Sequence, residues 1–213
     1  ADTSNRYDLK WVKRNEAPSR LQHLLPWQDI DVLPYKILGP YLSELVKKAF
    51  VDGLHNPLQR PSANDWEDAL IKTTDLLQQC EGKNCTQKWY VFDNSTRPVC
   101  PFCKTTFKGI LPILNLYSKR GNNPFKPENY RVMVYNGVRL YPWHVNRNVF
   151  PNEKLTLDQK KSVGYFQFHN GQWYLRNENL QGMKDITNGG KVIGLGELVQ
   201  LTEGRQILLS AED

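Results

Sequence analysis

The spacing of apolar residues changes along the chain, from a helical period in the first part to a strand period after residue 109. Residues 1–38 have weak periodicity and several prolines, so we expect short helical turns and extended links there. From Gly39 onward apolar residues recur at i, i+3, i+4 and i+7. This spacing predicts an amphipathic helix that ends near Gly53, with one face formed by Leu42, Leu45, Val46, Ala49 and Phe50.

A second amphipathic helix is predicted just before the first cysteine. Ser62 is a good N-cap residue, and Asp65 stands in the first turn, where a negative charge favours the helix dipole. One face of this helix is formed by Trp66, Ala69, Leu70, Thr73, Leu76 and Leu77. Because it leads straight into Cys80, we expect the helix and the cysteine-containing segment to form one rigid unit.

The remainder of the chain has the pattern of short β-strands separated by turns. A strand is predicted within residues 110–117, followed by a polar loop. Three hairpins are then predicted, with turns at Asn136-Gly137, Asn170-Gly171 and Gly204. Asn-Gly accepts positive φ at both central turn positions, which is the strongest local indication of a hairpin. Repeated strands with turns between them favour an antiparallel β-sandwich.

All four cysteines of the chain lie between residues 80 and 103, in the pattern C-x4-C-x14-C-x2-C. Two close pairs separated by the length of a hairpin are typical of a zinc ribbon, in which four thiolates surround one zinc ion. The predicted ligands are Cys80, Cys85, Cys100 and Cys103. Two disulfides or four free thiols are the alternatives. A site with four protein ligands has no open position for water, so the predicted zinc is structural.

The charge of the chain is unevenly distributed. The net charge is +6, and residues 104–161 contain 11 Lys and Arg against 3 Asp and Glu. Such a segment could meet nucleic acid or an acidic protein, although a solvated basic face is the simpler interpretation. No apolar run approaches the ~18 residues that a membrane span requires. The first residues lack the features of a signal peptide, so we expect a cytoplasmic protein with no membrane partner.

The segment AFVDGLHNPLQRPSANDWEDAL, from Ala49 to Leu70, resembles the end of a protein-kinase catalytic domain. In kinases an Arg-Pro-Ser loop precedes a Trp-containing helix near the end of the large lobe. An Arg-Pro-Ser-Ala ending followed by a cysteine clip resembles bacterial serine/threonine kinases of the tellurite-resistance (Ter) type. Those kinases are encoded with a von Willebrand factor A protein and a metal-dependent protein phosphatase, which the resemblance implies as partners.

The motifs of phosphoryl transfer are missing from the sequence. It has no Gly-rich phosphate loop, no Val-Ala-Ile-Lys lysine, no His-Arg-Asp loop and no Asp-Phe-Gly. The chain therefore resembles only the C-terminal part of such a kinase, and we expect no enzymatic activity and no catalytic or cofactor-binding residues besides the zinc ligands. In intact kinases the arginine at the position of Arg60 pairs with a glutamate of the activation segment, which this chain lacks.

The C-terminal segment WYLRNENLQGMKDITNGGKVIGLGELVQLTEGRQILLS, from Trp173 to Ser210, resembles the last strands of a forkhead-associated (FHA) domain. Phosphothreonine readers of that family add a Gly-Arg strand end and a Ser-x-x-His loop, and neither occurs upstream of Trp173. Asn177 alone matches a position that could touch a peptide backbone, and the ordinary role of such an asparagine is to cap a strand.

Together these patterns predict an α+β protein in three regions. Residues 1–79 form helices resembling the end of a kinase large lobe, residues 80–108 form the four-cysteine zinc clip, and residues 109–213 form an antiparallel FHA-like β-sandwich. The predicted function is a non-catalytic, zinc-stabilised protein-interaction module of a bacterial serine/threonine kinase signalling system. It would dock a partner such as the von Willebrand factor A protein or the associated phosphatase.

The alternative function is a zinc-ribbon protein that binds nucleic acid through the basic middle segment. Basic side chains at several points of this segment could contact phosphates. The candidate residues are Lys104, Lys108, Lys119, Arg120, Arg131 and Arg139. The sequence alone does not separate aromatic residues exposed for base stacking from those in the core.

Overall fold

The computed structural model describes residues 34–210, and over this range the chain combines helices with several small antiparallel sheets. The predicted α+β class is confirmed at this level. The turns and links expected before residue 34 lie outside the described residues. Within residues 34–210, no helix has the length and apolar character needed to cross a membrane. The helices are α1 (Gly39–Lys47), α2 (Ala63–Thr74) and the short α3 (Pro142–Val145).

Helix α1 follows the predicted apolar spacing. It begins after a 3-10 turn at Tyr35–Leu38, with proline in its first turn, where the missing N–H costs nothing. The helix continues through one π-helical turn, Lys48–Asp52, to Gly53, as predicted. Its apolar face is only half-buried, however, and Phe50 at its end is exposed.

Helix α2 begins at the predicted cap. The backbone N–H of Ser62 donates to the Asp65 carboxylate at 2.7 Å, and the backbone N–H of Asp65 donates to the Ser62 hydroxyl at 3.3 Å. This reciprocal capping box satisfies two amide groups that the first helical turn leaves unpaired. The helix ends at Thr74, so the completely buried Leu76 lies in the turn after it and Leu77 begins the strand that follows.

The strands form four antiparallel sheets among the described residues. Strand β1 pairs with β2, and β3 pairs with β4. The largest sheet has the order β10-β7-β6-β5, and a three-stranded sheet has the order β11-β8-β9. The strand bounds are β1 Leu77–Gln79, β2 Trp89–Val91, β3 Ile113–Ser118, β4 Lys126–Met133, β5 Arg139–Leu140, β6 Gly164–His169, β7 Gln172–Asn177, β8 Lys184–Asp185, β9 Lys191–Val192, β10 Leu198–Leu201 and β11 Ile207–Leu208.

Only the second of the three predicted hairpins forms as a pair of adjacent strands. In the β6–β7 hairpin, His169 pairs with Gln172, and Asn170 and Gly171 have φ values of 49° and 76°, as an Asn-Gly turn requires. The turns at Asn136-Gly137 and Gly204 also form. The strands flanking them pair elsewhere, however, because β4 pairs with β3, β5 with β6, β10 with β7 and β11 with β8.

Two hydrophobic clusters meet at the end of β4. Val132 and Val134 belong to the large cluster beneath the four-stranded sheet, whereas Met133 belongs to a smaller cluster with Leu76 and Phe92. Successive strand residues point to opposite faces, so this segment separates the two clusters. It therefore connects the cysteine-containing ribbon to the β-strands that follow residue 109, and the side chains of Val132, Met133 and Val134 are all buried.

Candidate metal centre

The first cysteine pair lies on the hairpin formed by β1 and β2. The backbone N–H of Cys80 donates to the carbonyl of Lys88 at 2.8 Å, which extends the strand ladder by one step. The N–H of Cys85 donates to the carbonyl of Gly82 at 3.0 Å and closes a tight turn between the two cysteines. Both sulfur atoms are thereby presented at the tip of the ribbon.

The second pair lies on a similar turn. The N–H of Cys100 donates to the carbonyl of Thr105, and the N–H of Lys104 donates to the carbonyl of Cys100, each at 2.9 Å. An isolated bridge between Val99 and Thr106 closes the base of this turn. Lys104 has a φ of 61°, in the left-handed region that favours glycine.

The two turns bring all four predicted ligands together. The four sulfur atoms lie within 4.8 Å of one another, and together they could hold one metal ion. The closest pairs join the two turns, with 3.4 Å between the sulfurs of Cys80 and Cys103 and 3.8 Å between those of Cys85 and Cys100. A disulfide bond is about 2.05 Å long. The four cysteines are therefore unpaired thiols in this structure.

Polar groups of the turns surround the sulfur atoms. The N–H of Gly82 donates to the sulfur of Cys80 at 3.3 Å, and the sulfur of Cys103 lies 3.2 Å from the hydroxyl of Thr105. A Cβ atom at Gly82 would lie only 2.8 Å from the Cys103 sulfur and from the Thr105 hydroxyl oxygen. The close approach of this backbone therefore requires glycine.

The local environment shifts the pKa values of the thiols in opposite directions. Hydrogen bonds from Thr105 lower the pKa of Cys103 to about 6. Burial raises the pKa of Cys80 to about 12, and burial also raises the pKa of Cys85. Metal binding to four thiolates releases their protons, so affinity for a metal should depend on pH.

The second turn is also tied to the first by a side chain outside the cysteine set. The carboxylate of Glu81 accepts a hydrogen bond from the backbone N–H of Lys108 at 3.0 Å. Cys100 is completely buried, and the other three cysteines are half-buried. The cluster is thus shielded by its own two turns.

A partly buried polar cluster that the sequence did not indicate lies between the end of α2 and the β-strands that follow residue 109. Its members are Asp75, Tyr130 and His144. The hydroxyl of Tyr130 donates to the Asp75 carboxylate at 2.5 Å, and Nε2 of His144 lies 3.2 Å from the same oxygen. His55 and His169 are exposed, and His23 lies outside the described residues. No local sequence pattern could have found this cluster.

The side chain of Asn177 has a structural role within the fold. Its side-chain amide is completely buried and donates to the carbonyls of Leu180 at 3.0 Å and Ile193 at 2.9 Å. Its side-chain oxygen accepts the N–H of Leu180 at 2.7 Å. Every polar group of this side chain is therefore used inside the fold, which agrees with the structural role that such an asparagine ordinarily has at the end of a strand.

The six candidate phosphate contacts fall on several elements. Lys104 and Lys108 lie in or beside the second cysteine turn, and the remaining four lie on the β3–β4 loop, on β4 and on β5. The Nζ of Lys104 donates to the carbonyl of Pro101 at 2.8 Å, and the Nζ of Lys119 lies 5.7 Å from the centre of the Phe125 ring. These two amines are engaged within the fold.

No protein-family model, curated protein or solved structure matches the chain.

Proposed function

We propose that the four cysteines bind one zinc ion with a structural role. Zinc–sulfur bonds of about 2.3 Å in a tetrahedron place neighbouring sulfurs about 3.8 Å apart. The two closest sulfur pairs, at 3.4 and 3.8 Å, match this separation without rearrangement of the turns. Soft thiolate ligands select zinc over magnesium or calcium. The gathering of four cysteine sulfurs within 4.8 Å of one another is the observation that carries the proposal.

The proposed zinc is a staple and not a catalyst. Four protein thiolates fill a tetrahedral shell, and a catalytic zinc needs an open position for water or substrate. The staple joins the β1–β2 ribbon to the second turn. Phe92, which follows β2, packs with Leu76 and Met133 in the smaller core cluster. A metal at the tip of the ribbon would therefore stabilise the junction between the helices and the β region.

We propose that the stapled protein is a non-catalytic docking module of a bacterial serine/threonine kinase signalling system. The support is the resemblance of residues 49–70 to the end of a kinase large lobe and the absence of phosphoryl-transfer motifs from the sequence. Arg60 of the Arg-Pro-Ser motif donates to the backbone carbonyls of Gly53 at 2.8 Å and Leu54 at 3.0 Å. It thus stabilises the loop between the helices without an activation-segment glutamate.

The FHA-like tail is proposed to act as a scaffold for protein contacts. Phosphothreonine recognition needs charge-assisted hydrogen bonds, ideally from a bidentate arginine. The sequence lacks the two motifs that supply these donors, and Asn177 is fully used inside the fold. We therefore propose that this part binds unphosphorylated protein surfaces.

The proposed docking surface is the tip of the helical pair, formed by Phe50, Val51 and Leu58. These apolar side chains are exposed, and Leu58 is 96% exposed. The π turn that carries Phe50 and Val51 contacts the 3-10 turn Pro57–Gln59 that carries Leu58. Lys48 and Asp52 border this surface. An exposed apolar patch with a charged rim is typical of a protein-interaction site.

The partner would be the cytoplasmic von Willebrand factor A protein encoded with such kinases or the associated phosphatase. The test is to titrate each unphosphorylated partner into the zinc-loaded chain by calorimetry at low and high salt. We expect one partner to bind with little loss of affinity at high salt, because apolar contacts are not screened.

A pair of variants locates the contact. Leu58→Asp should weaken binding at least tenfold, because it places a charge in the apolar contact. Leu157→Asp is the matched control, because Leu157 is also highly exposed but lies in a loop of the β region. Absence of binding to both partners would contradict the proposed docking function, and equal effects of the two variants would contradict its placement at the tip of the helical pair.

A further inference from the structure

The four-stranded sheet has one face in the core and one face directed away from it. Across β6, β7 and β10, a central row of three paired residues faces the core: Phe166, Leu175 and Val199. Successive residues along a strand point to opposite sides. The rows before and after this one therefore form the outer face, with Tyr165, Arg176 and Leu198 in one row and Gln167, Tyr174 and Gln200 in the other.

The composition of this outer face is aromatic, amide and basic. None of its six residues belongs to either hydrophobic core cluster. Tyr165 and Tyr174 are half-buried, and Arg176 is exposed. Within residues 34–210, the Arg176 side chain has no hydrogen-bond or ion-pair partner. Leu198 is the one aliphatic residue among the six.

Neighbouring polar groups extend the same face. Arg139 on β5 pairs with Tyr165 in the sheet, and its guanidinium carbon lies 5.9 Å from the centre of the tyrosine ring. Gln172 accepts hydrogen bonds from the Tyr174 hydroxyl at 3.0 Å and the Gln200 amide at 2.7 Å. An acidic group, Glu178, lies on the border, where its carboxylate is 3.5 Å from Arg139 and accepts a hydrogen bond from Ser162.

We propose that this outer face binds single-stranded nucleic acid, an activity beyond the proposed docking function. Tyr165 and Tyr174 are diagonal neighbours across β6 and β7, a relation that places side chains about 7–8 Å apart. Two tyrosines so placed can each stack one unpaired base. Arg176 supplies charge for a phosphate, and the amide of Gln167 can hydrogen-bond to the edge of a base.

Charge complementarity favours a nucleic acid over a protein on this face. The six outer-face residues include one arginine and no acidic residue, and Arg139 stands beside them on the neighbouring strand β5. A duplex is disfavoured because its bases are stacked on each other and cannot stack on the tyrosines.

The experiment measures the binding of fluorescently labelled RNA and DNA 12-mers of mixed sequence to the zinc-loaded full chain. Fluorescence anisotropy is recorded over a series of salt concentrations, with a duplex of the same sequence and a poly-glutamate peptide as competitors. The test variants are Tyr165→Ala, Tyr174→Ala and Arg176→Gln. The matched controls are Tyr117→Ala, an exposed tyrosine on a different sheet, and Arg147→Gln, an exposed arginine outside this face.

We expect each tyrosine variant to weaken single-strand binding by about five- to a hundredfold, because the loss of one stacked base has roughly that effect. Arg176→Gln should reduce the dependence of log affinity on log salt by about 0.7, as expected for one lost phosphate contact to a single strand. The two controls should leave affinity and salt dependence unchanged. Zinc content and the urea midpoint of each variant show whether it is folded.

Three results would overturn the proposal. The first is no binding of either single strand at low salt. The second is binding that responds equally to the outer-face variants and to the controls. The third is stronger competition by the duplex or the acidic peptide than by the unlabelled single strand. If a tyrosine variant fails to fold, Arg176→Gln decides the question, because its exposed side chain makes no contact that the fold requires.

Discussion

The Nε2 atom of His144 lies 3.2 Å from a carboxylate oxygen of Asp75, although 69 residues separate them in the chain. Nδ1 of His144 accepts the backbone N–H of Tyr141, so Nε2 carries the proton that is donated to Asp75. Tyr130 donates to the same carboxylate oxygen, and burial together with Asp75 raises the pKa of Tyr130. Asp75 therefore links the end of α2 to two elements of the β region.

Replacement of Asp75 should destabilise this link. Asp75→Ala leaves the buried imidazole of His144 and the Tyr130 hydroxyl without their acceptor, so we expect a loss of about 2 kcal/mol in the free energy of unfolding. Urea unfolding of the zinc-loaded chain measures it. Asp68→Ala is the control, because Asp68 forms a partly exposed i,i+4 pair with Lys72, a kind of pair worth about 0.3–0.5 kcal/mol. Equal losses in the two variants would show that the buried network contributes nothing beyond a surface ion pair.

The buried pair of Asp185 and Arg205 should make stability depend on pH in the acid range. The Nη2 and Nε atoms of Arg205 donate to the Asp185 carboxylate at 2.5 and 3.1 Å, and these hydrogen bonds lower the pKa of Asp185. A lowered pKa in the folded state contributes stability above the unfolded value of about 3.9. That contribution is lost as the pH falls below about 4 and through the folded pKa.

The difference in unfolding free energy between the wild type and Asp185→Asn isolates this effect. Urea unfolding at several pH values should give a constant difference from about pH 5 to pH 7 and a shrinking difference at lower pH. Acid also removes metal from thiolate sites, but this loss is common to both proteins and cancels. A difference that stays constant down to pH 3 would rule out a lowered pKa at Asp185.

The sequence predicted the features that are encoded locally. The Ser62 cap, the Asn170-Gly171 turn and the cysteine spacing each depend on residues close together in the chain. The predicted strand pairing at the other two hairpins was wrong, because the residues of a turn do not determine which strands become neighbours in the sheet. Val132 and Val134 are buried in one hydrophobic cluster and Met133 in the other. In this position β4 pairs with β3 and not with the strand after the turn.

Long-range polar contacts could not be predicted either. Asp75 and His144 occur in segments with no motif, and only the docking of α2 against the β region brings them together. The same holds for the outer face of the four-stranded sheet. Its tyrosines alternate with Phe166 and Leu175 in strands whose two faces become distinguishable only when the core is known.

Replacement of Gly82 should weaken the metal centre without unfolding the rest of the chain. In Gly82→Ala the new Cβ would lie 2.8 Å from the Cys103 sulfur, so the turn must move and we expect at least a tenfold loss of zinc affinity. Competition with a chromogenic chelator measures it. Gly194→Ala is the matched control, because a Cβ there meets Glu197 at an ordinary 3.5 Å. Equal affinities in the two variants would contradict the close packing at Gly82.

Nucleotide should not bind to this chain. The sequence lacks the lysine and the aspartates with which kinases position ATP and its magnesium ions. Thermal unfolding with and without magnesium and ATP measures binding, because a ligand at a hundred times its dissociation constant stabilises by about 2.7 kcal/mol. We expect no shift in the midpoint. A midpoint raised by several degrees only when both ATP and magnesium are present would contradict the non-catalytic function.

The metal content of the purified chain tests the zinc staple most directly. Native mass spectrometry combined with elemental analysis should find one zinc per chain. Cys100→Ser, which removes the completely buried ligand, should lose most of this zinc and unfold at a lower urea concentration. Lys104→Gly, which relieves the positive φ beside the site, should keep it. A wild-type chain without metal, or a mass that shows two disulfides among the four cysteines, would contradict the account.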